Sequence, residues 1–561
     1  MSELTLRPWQ AQALQKAESW LVDNGNRHFL INAAPGAGKT ICASVIAKQM
    51  FKRDVIDRVI VIAPRSEVVK QWGKDFQFVT GKHMTKVTAS DEDVTDYGND
   101  LCATWHAIEG LSEPFQFVCN NYRTLVICDE HHHAAVEAAW GEQAGSAFEN
   151  AKYTLILTGT PVRSDGKDTV WLAYDDEGNI IDLPDDASFT LTYGEAVDRG
   201  YCRPITFHRH EGNFTVTLPD GDGISVSSKV GAEDATKYSD VPGLKRALDF
   251  FKLAVTPKYE TDGITPDPES YLGSMAAWGI DKLEDLRETV PTAGGLVIAP
   301  TISIAEYIAE LLEVMTDEKP LVVHNNSANP EGRIAAFRNN TDKKWLVSVA
   351  MISEGVDIPR LRVLFYVPHA KTELAFRQSM GRVVRTLGPD DYSRAYVVMP
   401  SLEILEEYAR KVEQEMSPQA RKEKEVVFKV CPICETQNPR NAKSCSECGH
   451  EFPQRKTNYR SCPNCEGLNP KSASSCQHCG QKFSTEFEVS LKEALRVGAI
   501  VRGMDIDEED VQESEEMAED FREFVLKSGD ENLLRIMRDL PAEALTRLTQ
   551  FAEARKRSKE S

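Results

Sequence analysis

"FLINAAPGAGKT" runs from Phe29 to Thr40. An apolar, strand-like run ends at Ala33, a glycine turn follows, and Lys39-Thr40 opens the helical pattern ICASVIAKQM. Gly36 and Gly38 let the backbone curl so that successive N–H groups point inward at an anion. In that reading Gly36, Ala37 and Gly38 cradle phosphate oxygens, Lys39 reaches the β- and γ-phosphates, and the Thr40 hydroxyl ligates Mg²⁺. The start of the helix adds a favourable dipole. The strict G-x-x-x-x-G-K-T form has glycine at its first position, where this chain has Ala33. The bland alternative is a glycine turn beside a surface lysine. Strand, loop and helix in the right order favour the phosphate loop.

Working outward, short apolar runs without period-two alternation recur, as expected of parallel strands buried on both faces. They lie at Phe29–Ala33, Val59–Ala63, Leu101–Trp105, Leu125–Cys128 and Thr154–Leu157. Helical patterns separate some of them, which predicts α/β architecture. From about Asp165 to Gly294 the chain is turn-rich and acidic. A second series of strands is expected at Gly295–Ala299, Leu321–His324, Trp345–Val349, Val363–Val367 and Ala395–Met399. The expected organisation is a first lobe over 1–205, an insertion or linker over 206–290, and a second lobe over 291–415. Two small cysteine modules over 428–454 and 459–484 follow, then a mainly helical acidic tail over 485–561.

The 561 residues are 41% hydrophobic, adequate for packed cores and too apolar for a disordered chain. No signal-peptide core or membrane-length apolar run is present, so a cytoplasmic protein with no membrane partner is expected. The net charge of −22 argues against a protein that coats nucleic acid passively, though a motor needs only a local positive track. Eight of the 13 cysteines form four C-x-x-C pairs between Cys431 and Cys479. That distribution favours metal-bound thiolates in a reducing compartment over disulfides.

A phosphate loop needs a carboxylate for magnesium and a group to position water, both at the end of a neighbouring strand. LVIC-Asp129-Glu130 fits, with Asp129 holding Mg²⁺ and Glu130 orienting the attacking water. Three histidines follow, His131 to His133. Consecutive side chains diverge, which disfavours a transition-metal site among them.

D-E-H-H is a D-E-x-H box, and the chain resembles a superfamily 2 helicase over roughly residues 4 to 400. LRPWQ resembles the adenine-reading segment, with Arg7 and Gln10 at the matching positions. APRSEVVKQW resembles motif Ia, TGTP (Thr158–Pro161) motif III, and VIAPTISIAEYIAELL motif IV. SVAMISEGVDIPRL resembles motif V, with Gly355 and Asp357 matching, and FRQSMGRVVR motif VI, with Gln378, Arg382 and Arg385 in the Q-x-x-G-R-x-x-R spacing. Ala33 also fits, since members often have alanine there. The resemblance implies two RecA-like lobes that close on ATP, with Arg382 and Arg385 supplying positive charge from the second. It implies that His132 bridges the ATP site to the TGTP segment or the second lobe. Arg65, Thr104, Trp105 and Thr301 become candidate nucleic-acid contacts, Trp105 by stacking on a base or else as a buried core residue.

Each cysteine module reads C-x2-C-x10-C-x2-C, a spacing that presents four thiolates to Zn²⁺. The sets are Cys431, Cys434, Cys445, Cys448 and Cys462, Cys465, Cys476, Cys479. Four sulfurs leave no open position, so the expected role is structural. Arg440, Lys443, Arg455, Lys456, Arg460 and Lys471 are candidates for a local phosphate-binding face, with docking of a protein partner on the ribbons or acidic tail the alternative. By resemblance to the type III restriction-like group, which includes RadD-type repair helicases, the expected function is an ATP-dependent DNA helicase or translocase in repair, recombination or replication. An RNA helicase, or the motor subunit of a restriction or phage-defence complex, is the alternative.

Overall fold

The computed structural model describes residues 5–88, 100–131, 144–159, 169–175, 180–217, 223–227, 231–232, 249–324, 327, 329–349, 358–368, 372–386, 391, 393–422 and 428–452, and most of 459–490. The first lobe is built on strands β1 (His28–Ala33), β2 (Arg58–Ala63), β3 (Met84–Lys86), β4 (Asp100–Thr104), β5 (Thr124–Cys128) and β6 (Tyr153–Thr158). A small antiparallel hairpin, β7 (Ala173–Tyr174) and β8 (Ile180–Ile181), precedes the edge strand β9 (Ser188–Leu191). The sheet order is β3-β4-β2-β5-β6-β1-β9, and every neighbouring pair is parallel. All carboxyl ends therefore share one edge, where α/β sheets place their ligands. β5 and β6 are fully buried along their lengths, which is why they read as continuous apolar runs.

The second lobe is a six-stranded parallel sheet in the order β10-β18-β17-β14-β16-β15. Its strands are β10 (Ile205–His210), then, after the short strands β11 (Asn213–Thr217), β12 (Gly223–Ser227) and β13 (Gly231–Ala232), β14 (Gly294–Ala299), β15 (Leu321–Val323), β16 (Trp345–Val349), β17 (Leu361–Tyr366) and β18 (Ala395–Pro400). Helices Tyr271–Arg287 and Ile302–Thr316 cover one face with Met275, Ile280, Leu283, Ile308 and Leu312. The other face belongs to one apolar core that continues into the first lobe, where Tyr193, Ala196 and Cys202 join Val383, Val384 and Met416.

Two elements lie in segments where the sequence pattern marks no strand. Residues 206–290 were expected as an insertion or linker; at the start of that span β10 is the edge strand of the second lobe, pairing Ile205 with Ala395 through His210 with Pro400. Its sequence, ITFHRH, lacks a continuous apolar run because an edge strand is covered on fewer sides. The tail expected to be mainly helical opens with a strand, β23 (Glu486–Ser490), which pairs in parallel with β11 in a sheet of order β13-β12-β11-β23. Residues 491–561 lie outside the described residues. Between these elements, β19 (Phe428–Val430) with β20 (Gln437–Pro439), and β21 (Tyr459–Ser461) with β22 (Leu468–Pro470), form the antiparallel ribbons of the cysteine modules.

Candidate functional site

The loop from Ala33 to Lys39 leaves the carboxyl end of β1 and enters helix Lys39–Lys52. Gly36 has φ +79° and Gly38 φ +96°, conformations that side-chain-bearing residues rarely adopt. Space is short as well. A Cβ at Gly36 would sit 2.9 Å from Cγ of Arg385, and one at Gly38 2.9 Å from Nε2 of Gln10. Lys39 turns back over the loop and donates from Nζ to the Ala33 carbonyl at 2.9 Å. Arg7 and Gln10 reach the same loop. Arg7 Nη1 donates to the Ala37 carbonyl at 2.8 Å, Gln10 Nε2 donates to the Gly38 carbonyl at 3.1 Å, and Gln10 Oε1 accepts the Arg7 N–H at 2.9 Å. The Arg7 guanidinium also lies 4.7 Å over the Tyr201 ring, in the segment that connects the lobes.

Asp129 and Glu130 follow β5, two strands from β1 in the sheet. The Asp129 carboxylate is held at both oxygens: Oδ2 accepts the Trp72 indole N–H at 2.8 Å and Oδ1 accepts the Glu130 N–H at 3.1 Å. Burial, with the Glu130 charge beside it, pushes the Asp129 carboxyl up to about 6, opposed by the Trp72 hydrogen bond and the Lys39 charge. Glu130 sits at φ +48°, a strained position of the kind that clusters at functional sites.

The second lobe faces this loop with the end of helix Glu373–Met380 and the turn after it. A Cβ on Gly381 would meet Pro35 at 2.8 Å. Arg385 bridges to Cys202, and Cys202 Sγ contacts the Pro35 carbonyl at 3.2 Å. A cleft of about 260 Å³ results, lined by Gly36, Gly38, Lys39, Thr40, Asp129 and Glu130 from the first lobe and by Gln378, Arg382 and Arg385 from the second. The cleft brings Lys39 and two arginines together with the Thr40 hydroxyl and two carboxylates, the donor set for a polyphosphate and its magnesium. His132, Gly355 and Asp357 lie outside the described residues.

The candidate nucleic-acid contacts are dispersed along the carboxyl ends of the strands. Arg65 precedes helix Ser66–Thr80, and the Thr104 hydroxyl accepts the Ala107 N–H at 3.3 Å. The Thr301 hydroxyl caps helix Ile302–Thr316 by accepting the Ile304 N–H. Trp105 is a core residue and not an open stacking platform. It is 1% exposed, packs edge-on to His131, and donates its indole N–H to the Asp129 carbonyl at 3.1 Å. His131 is also buried. Its ring stacks on Trp171 at 5.5 Å, and its Nδ1 lies 3.4 Å from the Thr169 hydroxyl.

Among the described residues, the cysteine quartets are the groups of metal-ligating side chains that converge. Cys431 and Cys448 sulfurs are 3.6 Å apart, Cys434 and Cys445 3.5 Å, Cys462 and Cys479 3.7 Å, and Cys465 and Cys476 3.5 Å. A tetrahedron with Zn–S bonds of about 2.3 Å has edges of roughly 3.8 Å, whereas a disulfide would bring sulfurs to about 2.05 Å. The quartets therefore fit zinc. Asn438 and Asn469, which sequence reasoning overlooked, occupy equivalent places seven residues before Cys445 and Cys476. Each donates its amide to that sulfur and accepts a backbone N–H of the second knuckle, from Ser446 or Gln477. Their recurrence at one place in both repeats was the available signal.

Two of the proposed phosphate-binding arginines are otherwise engaged. Arg440 pairs with Asp285 at 2.7 Å and Glu288 at 3.2 Å, docking the first ribbon on the second lobe. Arg460 lies 3.6 Å over the Phe483 ring. Lys443 is exposed, and Arg455, Lys456 and Lys471 lie outside the described residues.

Residues 3–163 match the family described as Type III restriction enzyme, res subunit, and residues 280–386 match Helicase conserved C-terminal domain. The first match falls on the first parallel-sheet lobe and the second on the second lobe. It is 30% identical over 70% of its length to the uncharacterized protein Rv2917 of Mycobacterium tuberculosis, and 29% over 73% to ML1624 of Mycobacterium leprae. It spans 61% and 64% of those relatives' lengths. It is also 22% identical, over 68% of its length and 79% of the relative's, to the DNA 3'-5' translocase XPB2 of Sulfurisphaera tokodaii.

Proposed function

We propose that this protein hydrolyses ATP between its two lobes and uses the cycle to translocate on or remodel DNA, in repair, recombination or replication. The observation that carries the proposal is the single cleft in which Lys39 and Thr40 of one lobe face Arg382 and Arg385 of the other. In this reading the loop amides and Lys39 bind the β- and γ-phosphates, and Thr40 and Asp129 hold the magnesium, which neutralises phosphate charge. Glu130 orients the water. Arg382 and Arg385 stabilise charge on the transferring phosphoryl group only while the lobes are together. Closure then depends on nucleotide, and strand bound along Arg65, Thr104 and Thr301 would be moved with each cycle. Arg7 and Gln10 read the base from the loop side.

DNA is favoured by the relative named a DNA translocase. The match to the type III restriction family supports a second reading, the motor of a restriction or phage-defence complex. We place the protein in the cytoplasm; among the described residues no helix is long and apolar enough to cross a membrane. ATPase assays with single-stranded, duplex and forked DNA and with RNA test the reading. DNA stimulation that vanishes in Lys39→Ala is expected; stimulation by RNA alone, or full activity in that variant, would overturn it.

A further inference from the structure

Trp72 lies on the second turn of helix Ser66–Thr80 and is fully buried. Its indole N–H points at Asp129 Oδ2 from 2.8 Å, a donor supplied from outside both the phosphate loop and the acidic box. A second indole, Trp105, binds the Asp129 carbonyl at 3.1 Å, next to the strained Glu130. Two rings thus frame the acidic pair, one on the carboxylate and one on the peptide. Both come from segments that leave neighbouring strands, β2 and β4. Trp72 also lines the cleft beside Val68, Gln71 and Asp75. An indole is a donor only, so it cannot compete for a cation, and it leaves Asp129 with one fixed orientation.

We infer that Trp72 is a positioning residue for the nucleotide's magnesium: its N–H locks the Asp129 carboxylate, and its helix links that carboxylate rigidly to Arg65 at the proposed strand-binding edge. The inference rests on the nucleotide reading of the cleft. It assigns to Trp72 no contact with substrate. Removing a group that orients a metal ligand characteristically costs about 10- to 100-fold in metal affinity.

The test is a fluorescence titration of the full chain with mant-ATP, once in EDTA and once with Mg²⁺. The wild type should bind more tightly with Mg²⁺, and that increment is the readout. Trp72→Phe keeps the ring packing and deletes the donor. It should bind mant-ATP in EDTA as the wild type does while its Mg²⁺ increment falls by about tenfold or more. Trp72→His places Nε2 two bonds from Cγ, as indole Nε1 is, and should retain the increment within about threefold. In an Asp129→Asn background, Trp72→Phe should cost nothing further. The proposal is overturned if Trp72→Phe keeps the full increment, if it loses binding equally in EDTA, or if the Phe and His variants lose the increment alike. A wild type with no increment would refute the nucleotide reading itself, and the proposal with it.

Discussion

Asp391 joins two arginines in the second lobe. Its carboxylate lies 2.6 Å from Arg203 and 3.0 Å from Arg362, whose side chains are both 0% exposed, while Asp391 is 7% exposed. The arginines also donate to the carbonyls of Pro359, Leu361 and Val383. Those carbonyls can satisfy N–H groups but cannot neutralise charge. Burial lowers the pKa of both guanidinium groups, while the two cations hold the Asp391 carboxyl far below the usual carboxylate range. Asp391→Asn preserves shape and removes the only counter-charge within contact of either cation among the described residues. Breaking a buried pair of this kind costs about 3–5 kcal/mol, a large share of a typical stability of about 5–15 kcal/mol. Chemical unfolding followed by near-ultraviolet circular dichroism should show the loss, and Arg203→Met added to Asp391→Asn should recover part of it. As a control, Asp54→Asn beside Arg123 should cost less than about 1 kcal/mol, since Asp54 is 88% exposed. A loss below about 1 kcal/mol for Asp391→Asn would refute the reasoning.

Burial keeps His208 and His210 neutral by lowering their pKa values to about 4 and about 3. The unfolded chain takes up protons near pH 6.5 that the fold refuses, so stability should fall as pH drops from 6.5, by roughly 2 kcal/mol per histidine at pH 5. His208→Gln should flatten that slope in thermal melts at pH 7.5 and 5; an unchanged slope would count against the burial argument. Purified protein should carry about two zinc ions, and Cys445→Ser should release one, read with a colorimetric chelator; metal-free wild type would contradict the ribbon assignment. Arg440→Ala should speed proteolytic cleavage near the first ribbon while costing no more than about 1 kcal/mol of global stability, because the pair is partly exposed.

Nine of the ten strands read from the sequence were legible because parallel strands covered on both faces are mostly apolar, and the tenth, the edge strand Leu321–Val323, is itself an apolar run. Phe29–Ala33 and Thr154–Leu157 needed only small extensions. The cleft was legible for a different reason: phosphate chemistry fixes residue types at fixed spacings, so Lys39, Asp129 and Arg382 could be named before their positions were known. What escaped notice was polar or distant. Ser188–Leu191, Ile205–His210 and Glu486–Ser490 are edge strands whose pairing partners lie far away in sequence. Trp105 shows the limit for single residues, because a tryptophan at the end of a strand has the same letter whether its N–H meets solvent or the Asp129 carbonyl. Asn438 and Asn469 were visible only by comparing the repeats with each other.

The pairing of β11 with β23 has a mechanical meaning. Residues 213–217 precede most of the second lobe, and residues 486–490 follow both ribbons, yet they are adjacent strands. Phe487 packs on Tyr271, at the start of the same helix that holds Arg440 through Asp285 and Ser472 through Asp281. The ribbons are thus strung between two anchorages on one side of one lobe, as a handle is fixed at both ends. Any rotation of the second lobe about the cleft would swing both ribbons with it as cargo, because both anchorages belong to that lobe.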